Sequence, residues 1–220
     1  MKTVLSTKIL SPSQKELFLN SGLGLVEYNA LSIEFLEDKI PLEHKNYVFT
    51  SQNTVKVFIK QTEGLDRAGF RAFCVGDKTR SLLEENGILV VESTQYASEL
   101  GKVIAQKYRC ESFLFLCGNK RRDDLPNAFK KNNIRYKEMM VYRTHSNPKA
   151  FNRNFDGILF YSPSGIQSYL LENKLGNSML FCIGNTTAAE AKKHSENIIL
   201  ANKPTVENVL VQAINYYKNL

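Results

Sequence analysis

Residues 73–79 read Phe73-Cys74-Val75-Gly76-Asp77-Lys78-Thr79, and residues 181–187 repeat the pattern as Phe181-Cys182-Ile183-Gly184-Asn185-Thr186-Thr187. Each copy is an apolar run, a glycine and a polar stretch, which predicts a buried strand that turns into a helix. Upstream of each copy, Phe49-Thr50-Ser51 recurs as Phe160-Tyr161-Ser162. The two glycines are 108 positions apart and the two serines 111. The sequence therefore predicts that one α/β unit of about 110 residues occurs twice.

The rest of the chain continues the same alternation of short apolar runs and longer amphipathic stretches. The predicted strands are 47–50, 71–75, 87–91, 112–117, 157–161, 178–183 and 197–200. Apolar residues at helical spacing predict helices within 81–85, 95–108, 122–132, 166–173 and 206–219. Strands that alternate with helices favour parallel sheets. We expect an α/β fold with two similar domains, each a parallel, flavodoxin-like sheet flanked by helices.

Two extended segments occupy equivalent positions in the copies, residues 31–35 and residues 139–144. If the chain crosses between bodies at both, the domains interleave. One domain would combine 1–33 with 145–220, the other would span 36–141, and 34–35 with 142–144 would join them as a two-stranded β-ladder. Such a connection permits hinge motion, and we expect the matching turns to face a shared cleft.

Composition narrows the function classes. A net charge of +7 over 220 residues favours an anionic partner, which leaves nucleic acid, a membrane surface or a small polyanion open. The longest apolar runs, such as 113–117, are far shorter than the roughly 20 residues of a membrane span. The N-terminus turns polar at Lys8 and predicts a buried strand rather than a signal peptide.

Cysteine and histidine usage predicts neither disulfides nor a metal site. The four cysteines form no C-x-x-C pair, and three lie in predicted strands, which indicates reduced thiols in a cytoplasmic protein. The three histidines, His44, His145 and His194, are far apart in sequence.

The repeated turns carry the candidate chemistry. Ser162 is a predicted helix N-cap with Pro163 at the first helical position, and 50–53 is its counterpart. Gly76 and Gly184 let the backbone approach a ligand, and helix starts bind anions through unpaired N–H groups. Each Ser or Thr could equally do no more than cap its own helix. The symmetric set favours an anion site, and the absence of a nucleotide-binding glycine motif leaves anions other than nucleotides.

A basic corner follows the strand 112–117, where Lys120-Arg121-Arg122 precede Asp123 and Asp124. Three cations at a helix start would suit carboxylates. A solvated corner partly neutralised by the two aspartates is an equal alternative. No aromatic residue is interleaved with the cations, which disfavours a nucleic-acid surface.

Together these residues resemble the uroporphyrinogen-III synthase family over residues 1 to about 215. The resemblance lies in six motifs in the family's order: Phe49-Thr50-Ser51, Val75-Gly76-x-x-Thr79, Cys117-Gly118-Asn119-x-x-Arg122, Val141-Tyr142-Arg143-Thr144, Phe160-Tyr161-Ser162-Pro163-Ser164-Gly165 and Ile183-Gly184-x-Thr186-Thr187-Ala188. It implies two α/β domains joined by a β-ladder. It also implies cyclisation of hydroxymethylbilane, a linear tetrapyrrole with eight carboxylates, with inversion of ring D and without a cofactor.

The resemblance also implies roles for individual residues. Tyr142 matches the tyrosine expected to assist loss of the substrate hydroxyl, although an aromatic residue that only packs or positions substrate is the alternative. At the equivalent position of the first copy stands Leu31, so this hydroxyl is not duplicated. The residues expected to bind substrate are Thr50, Ser51, Gln52, Gly76, Thr79, Gly118, Asn119, Lys120, Arg122, Ser162, Ser164, Gly165, Thr186 and Thr187.

Two other function classes stay open at this point. One is a non-catalytic two-domain module that closes on a small anion, and the other is a basic nucleic-acid-binding protein, for which no known motif is present. For the synthase we expect a cytoplasmic monomer with transient hand-over of substrate from hydroxymethylbilane synthase, and neither nucleic acid nor membrane as a partner.

Overall fold

The computed structural model describes residues 1–19 and 21–219, and the chain divides into two compact units. The first unit combines Met1–Ser32 with His145–Leu220, and the second is the continuous stretch Ile33–Thr144. The chain passes from one unit to the other within two strands, Leu31–Phe35 and Arg135–Ser146.

Strands and helices alternate along most of the chain. In chain order they are β1 (Thr3–Ser6), α1 (Pro12–Leu19), β2 (Gly24–Glu27), β3 (Leu31–Phe35), β4 (Asn46–Phe49), α2 (Gln52–Gln61), β5 (Arg71–Val75), α3 (Asp77–Glu84), β6 (Leu89–Thr94), α4 (Ala97–Lys107), β7 (Ser112–Gly118), α5 (Asp124–Lys131), β8 (Arg135–Ser146), β9 (Gly157–Phe160), α6 (Pro163–Leu170), β10 (Met179–Cys182), α7 (Asn185–Ala191), β11 (Ile198–Leu200) and α8 (Val206–Lys218).

The first unit is built on a sheet of strand order β11-β10-β9-β1-β2, and its neighbouring strands pair in parallel. Counted along the chain within this unit, the order is 2-1-3-4-5, which is the flavodoxin-like arrangement. The predicted fold class is therefore confirmed for this unit.

The second unit has a sheet of order β3-β8-β7-β4-β5-β6. The pairs from β8 to β6 are parallel. The alternation in the sequence predicted parallel strands, but β3 adds an edge strand beside β8, and the sheet as a whole is mixed. The strands β3 and β8 are the two through which the chain passes between the units.

The two sheets share one strand arrangement in different chain orders. β4 lies between β7 and β5 in the second unit, as β9 lies between β1 and β10 in the first. Apart from the edge strand β3, the second unit begins with its central strand β4, whereas the first begins with β1 and reaches its central strand only at β9. Each unit is thus a circular permutation of the other, which explains why the repeat of about 110 residues coincides with neither unit.

The central strands of each sheet are buried on both faces, as continuous apolar strands require. In β4, Tyr47 and Phe49 pack into one core cluster and Val48 into the cluster on the opposite face. In β9, Ile158 and Leu159 divide in the same way. Aromatic rings dominate the packing, as in the edge-to-face contact of Phe49 with Phe58 at 5.4 Å between centroids.

The cysteines have the environments that the sequence predicted. Cys74, Cys117 and Cys182 are buried, Cys110 is exposed, and all four are free thiols. Within residues 1–19 and 21–219, no cluster of three or more His, Cys, Asp or Glu side chains could hold a metal ion. No helix in this part of the chain has the length and apolar character needed to cross a membrane.

Candidate active site

A cavity of about 480 Å³ lies in the second unit, where β4, β5 and β7 end. The carboxyl edge of a parallel sheet is where the loops that bind ligands gather. The first turns of α4 and α5 and a side chain of β8 complete the walls. The lining residues are Thr50, Ser51, Val75, Gln95, Tyr96, Ala97, Ser98, Phe115, Gly118, Lys120, Arg121, Arg122, Asp124, Leu125 and Tyr142.

The cavity gathers part of the set predicted for this unit. The predicted residues that line it are Thr50, Ser51, Gly118, Lys120, Arg122 and Tyr142. Gln52 instead lines a cavity of about 360 Å³ beside the first turn of α3. Gly76, Thr79 and Asn119 do not line the larger cavity.

The serines of the repeated turns cap their helices. Ser51 accepts a hydrogen bond from the backbone N–H of Asn53 at 3.2 Å, and Ser162 accepts one from Gly165 at 3.0 Å. The prediction that Ser162 is an N-cap followed by Pro163 is confirmed. Since a hydroxyl that accepts from its own helix can still donate, both serines keep one donor for a ligand.

The threonines of the glycine turns are buried. Thr79 is 5% exposed and Thr187 is 1% exposed. Their backbone N–H groups donate to the carbonyls of Gly76 and Gly184 at 3.1 and 3.0 Å. These two residues therefore shape the turns and present little hydroxyl surface to a ligand, whereas Thr186 is exposed and Ser164 is half-buried.

The three consecutive cations have different partners. Arg121 donates from Nε to Glu138 at 2.6 Å and also pairs with Asp123. Lys120 and Arg122 are exposed and form no ion pair within the described part of the chain. The corner is thus one neutralised arginine between two cations that are available to an anion.

Tyr142 projects from β8 into this cavity. Its ring packs against the core cluster that contains Val141 and Leu116, and it lies on the backbone of Gly118. Its hydroxyl makes no hydrogen bond with any residue among 1–19 and 21–219. The phenol can therefore donate to a ligand.

Several wall residues were not predicted, and they come mainly from the turn before α4. Tyr96 is the N-cap of this helix, and its side chain is 67% exposed. Its backbone is held because Glu99 accepts from its N–H at 3.3 Å. Thr94 ends β6 and donates its hydroxyl proton to the Tyr96 carbonyl. A polar turn between a strand and a helix was the signal that could have drawn attention to Tyr96.

Cys117 lies next to this site but does not supply a nucleophile. It is 5% exposed, and burial raises the pKa of its thiol from 9.0 to about 11. A thiol with that pKa is protonated at neutral pH, and only the thiolate is strongly nucleophilic. The chemistry open to the cavity is anion binding by cations and helix starts together with proton or hydrogen-bond donation by a phenol.

The family model of uroporphyrinogen-III synthase HemD matches residues 14–210. The porphyrin biosynthesis protein HemD of Ruminiclostridium josui is 24% identical over 243 residues, which cover 95% of this chain and 48% of that protein. The chain therefore spans about half the length of this curated relative.

Solved structures show the same fold. The crystal structure of uroporphyrinogen-III synthetase from Helicobacter pylori 26695 has a TM-score of 0.77 at 17% identity and covers 98% of this chain and 100% of that one. A mutant uroporphyrinogen III synthase from the extremely thermophilic bacterium Thermus thermophilus has a TM-score of 0.65 at 14% identity, with 100% and 99% covered.

Fold and site together define an α/β protein of two permuted units with a basic cavity at its strand ends. Within that class, the match over residues 14–210 is decisive. The chain belongs to the uroporphyrinogen-III synthase HemD family.

Proposed function

We propose that the chain is a uroporphyrinogen-III synthase, a lyase that cyclises hydroxymethylbilane to uroporphyrinogen III with inversion of ring D and loss of water. The observation that carries the proposal is that Lys120, Arg122 and Tyr142 line one cavity of a chain of this family. The substrate is an octacarboxylate, which accords with the net charge of +7.

The cations and helix starts would hold carboxylates. Lys120 and Arg122 precede α5, and Ala97 and Ser98 form the first turn of α4. The first N–H groups of a helix have no partner within it, and the positive end of its dipole favours an anion. A carboxylate bound here would receive charge-assisted hydrogen bonds, which are stronger than neutral ones.

Tyr142 would act on the leaving hydroxyl of the substrate. As the carbon–oxygen bond of the hydroxymethyl group breaks, the phenol transfers its proton to the departing oxygen, which leaves as water, and the substrate carries a cationic azafulvenium group. The substituted carbon of ring D attacks this group, and the resulting spiro intermediate fragments and recloses with that ring inverted. The proton that ring D loses as it regains aromaticity restores the phenol. The protein's remaining task is to fold the chain so that this carbon reacts first.

The product isomer tests the proposal. Hydroxymethylbilane generated enzymatically is incubated with the protein, and the products are oxidised and separated by chromatography. We expect uroporphyrin III. Isomer I alone, the spontaneous product, would contradict the synthase assignment.

The role of Tyr142 has its own test. Tyr142→Phe should lower kcat by roughly 100-fold or more, the usual contribution of a general acid. Tyr136→Phe is the matched control, since Tyr136 lies on the same strand with its ring against Phe129, 5.0 Å between centroids. Full turnover by Tyr142→Phe would exclude proton donation and leave a packing role.

The proposal also covers residues of the first unit. We propose that substrate is bound there by Ser162, Ser164, Gly165, Thr186 and Thr187. Substitution of any one of them by alanine should lower activity only slightly. We further propose a cytoplasmic monomer that receives its substrate transiently from hydroxymethylbilane synthase. Sedimentation of the protein alone and with that enzyme tests the oligomeric state and the hand-over.

A further inference from the structure

A register shift in the second sheet determines which residue of β8 faces the end of β7. Cys117 pairs with Met140, but Gly118 pairs with Tyr142, so Val141 is an extra residue on β8. A bulge of this kind bends a strand and re-aims its side chains. Val141 is 1% exposed and its carbonyl accepts from the N–H of Leu36 at 3.0 Å, which fixes the bulge.

Gly118 provides the space that the ring of Tyr142 fills. A Cβ added to Gly118 would lie 2.3 Å from Cζ of Tyr142 and 2.6 and 2.7 Å from the two Cε atoms. Cζ carries the hydroxyl, so it is the reactive end of the ring that lies on the glycine. Gly118 is not among the described residues with positive φ, and its backbone conformation is open to other residues. The glycine is required here by the ring and not by the turn.

Asn119 holds β8 just beyond the tyrosine. Its Oδ1 accepts from the backbone N–H of Thr144 at 2.8 Å, and its Nδ2 donates to the carbonyl of the same residue at 3.3 Å. Both hydrogen-bonding groups of this amide are therefore used within the protein. Together with the bulge and the glycine, the amide fixes the strand on either side of the ring.

We propose that Gly118 and Asn119 are positioning residues that act on the reaction through Tyr142 and not by contacting substrate. The inference rests on the proposed function of Tyr142. A Gly118→Ala side chain would push the ring away by about 1 Å or more, because carbon atoms pack at roughly 3.5–4 Å. A displacement of about 1 Å at a reacting group costs on the order of 100-fold in rate.

A double-mutant cycle tests this coupling. We expect Gly118→Ala to lower kcat by about 10- to 100-fold with KM changed less than about threefold. In the Tyr142→Phe protein the same change should lower kcat by less than about threefold further, because the hydroxyl that it displaces is already absent. An equal loss of kcat in both backgrounds would show that Gly118 acts independently of the hydroxyl and would overturn the proposal.

Ring position is measured directly by fluorine NMR on protein labelled with 3-fluorotyrosine, in which the Tyr142 resonance is the one lost in Tyr142→Phe. Gly118→Ala and Asn119→Ala should each shift or broaden that resonance. Asn173→Ala is the matched control, since Asn173 makes a similar clamp in the first unit, accepting from Phe151 at 2.9 Å and donating to Lys149 at 2.8 Å. The control should lose stability without moving the resonance.

The outcomes separate this inference from the proposed function. If the wild-type protein forms only isomer I, the proposed function fails. If Tyr142→Phe is fully active, the role of Tyr142 as proton donor fails. In both cases the Tyr142 resonance still reports whether Gly118 and Asn119 position the ring. An unchanged Tyr142 resonance in both Gly118→Ala and Asn119→Ala would overturn the inference even with the synthase activity intact. If Gly118→Ala does not fold, Asn119→Ala carries both measurements.

Discussion

Arg121, in the turn after β7, donates from Nε to a carboxylate oxygen of Glu138 on the neighbouring strand β8 at 2.6 Å. This pair leaves one of three consecutive cations unavailable as a ligand group. Two neighbouring arginines therefore differ in function. Arg121 is held in ion pairs, whereas Arg122 lines the cavity without an ion-pair partner among the described residues.

Removing the charge of Arg122 should weaken substrate binding. We expect Arg122→Gln to raise KM for hydroxymethylbilane by about three- to tenfold with kcat nearly unchanged, because an exposed charge-assisted contact is worth about 1 kcal/mol. Lys131→Gln is the control, because it makes the same charge change in the last turn of α5, at the opposite end of the helix that Arg122 precedes. Steady-state kinetics at two salt concentrations checks this. Equal KM values for the two variants would show that overall charge, and not this site, attracts the substrate.

Glu138→Gln should have the opposite pattern. The side chains of Arg121 and Glu138 are 28% and 27% exposed, and we expect loss of their pairing to lower the free energy of unfolding by about 1 kcal/mol or less. KM should stay within about twofold, because Glu138 does not line the cavity. Urea unfolding measures the free energy of unfolding, and steady-state kinetics on the same preparation measures KM. A large rise in KM without loss of stability would place Glu138 in the binding site.

Tyr96 should bind substrate through its ring. The side chain is 67% exposed on the cavity wall, where it could stack on a pyrrole. We expect Tyr96→Ala to raise KM by about threefold or more at unchanged stability, corresponding to a stacking contact of about 1 kcal/mol. Tyr96→Phe should behave as wild type. If the phenylalanine variant were as impaired as the alanine variant, the hydroxyl and not the ring would be the binding group.

The buried thiols should be inert until the pH is high. Burial raises the pKa of Cys117 to about 11 and that of Cys182 to about 12, from 9.0 in each case. The protonated thiols therefore stabilise the fold fully below pH 9, and this contribution is lost as the pH rises through about 11 to 12. At pH 8 we expect iodoacetamide to modify Cys110 alone in the native protein and all four cysteines in urea, as counted by mass spectrometry. Rapid labelling of Cys117 in the native protein would refute its protected state.

The strand and helix pattern could be predicted from the sequence because each sheet is buried on both faces. Apolar runs such as 112–117 and 157–161 lie on strands of the structure with bounds shifted by a residue or so. The permutation of the units could not be read from the repeat alone, since it depends on the pairing of β1 with β9, two strands that are distant in the chain. The ion pair of Arg121 could not be predicted either, because its partner Glu138 lies on β8, a strand that follows later in the sequence and lies next to β7 in the sheet.

The candidate site was partly predictable because it lies at the ends of predicted strands. Residues directly after strands, such as Ser51 and Gly118, could be found because strand ends gather at one edge. Tyr96 was missed because nothing in an isolated turn distinguishes an exposed tyrosine over a cavity from one in solvent. The bulge at Val141 was missed because strand register depends on the partner strand and not on local sequence.

The repeated glycines that first indicated the duplication should respond differently to substitution. Gly76 has φ +88°, in the left-handed region that favours glycine, whereas Gly184 has φ −169°, which any residue adopts. A Cβ would meet no atom within 4 Å at Gly76 and only Pro204 at 4.0 Å at Gly184, so space does not separate them. We expect Gly76→Ala to lower the free energy of unfolding by about 1 kcal/mol or more and Gly184→Ala to leave it unchanged or slightly raised. Urea unfolding of the two variants measures the free energy of unfolding. Equal losses of stability would show that the left-handed φ of Gly76 does not cause the loss.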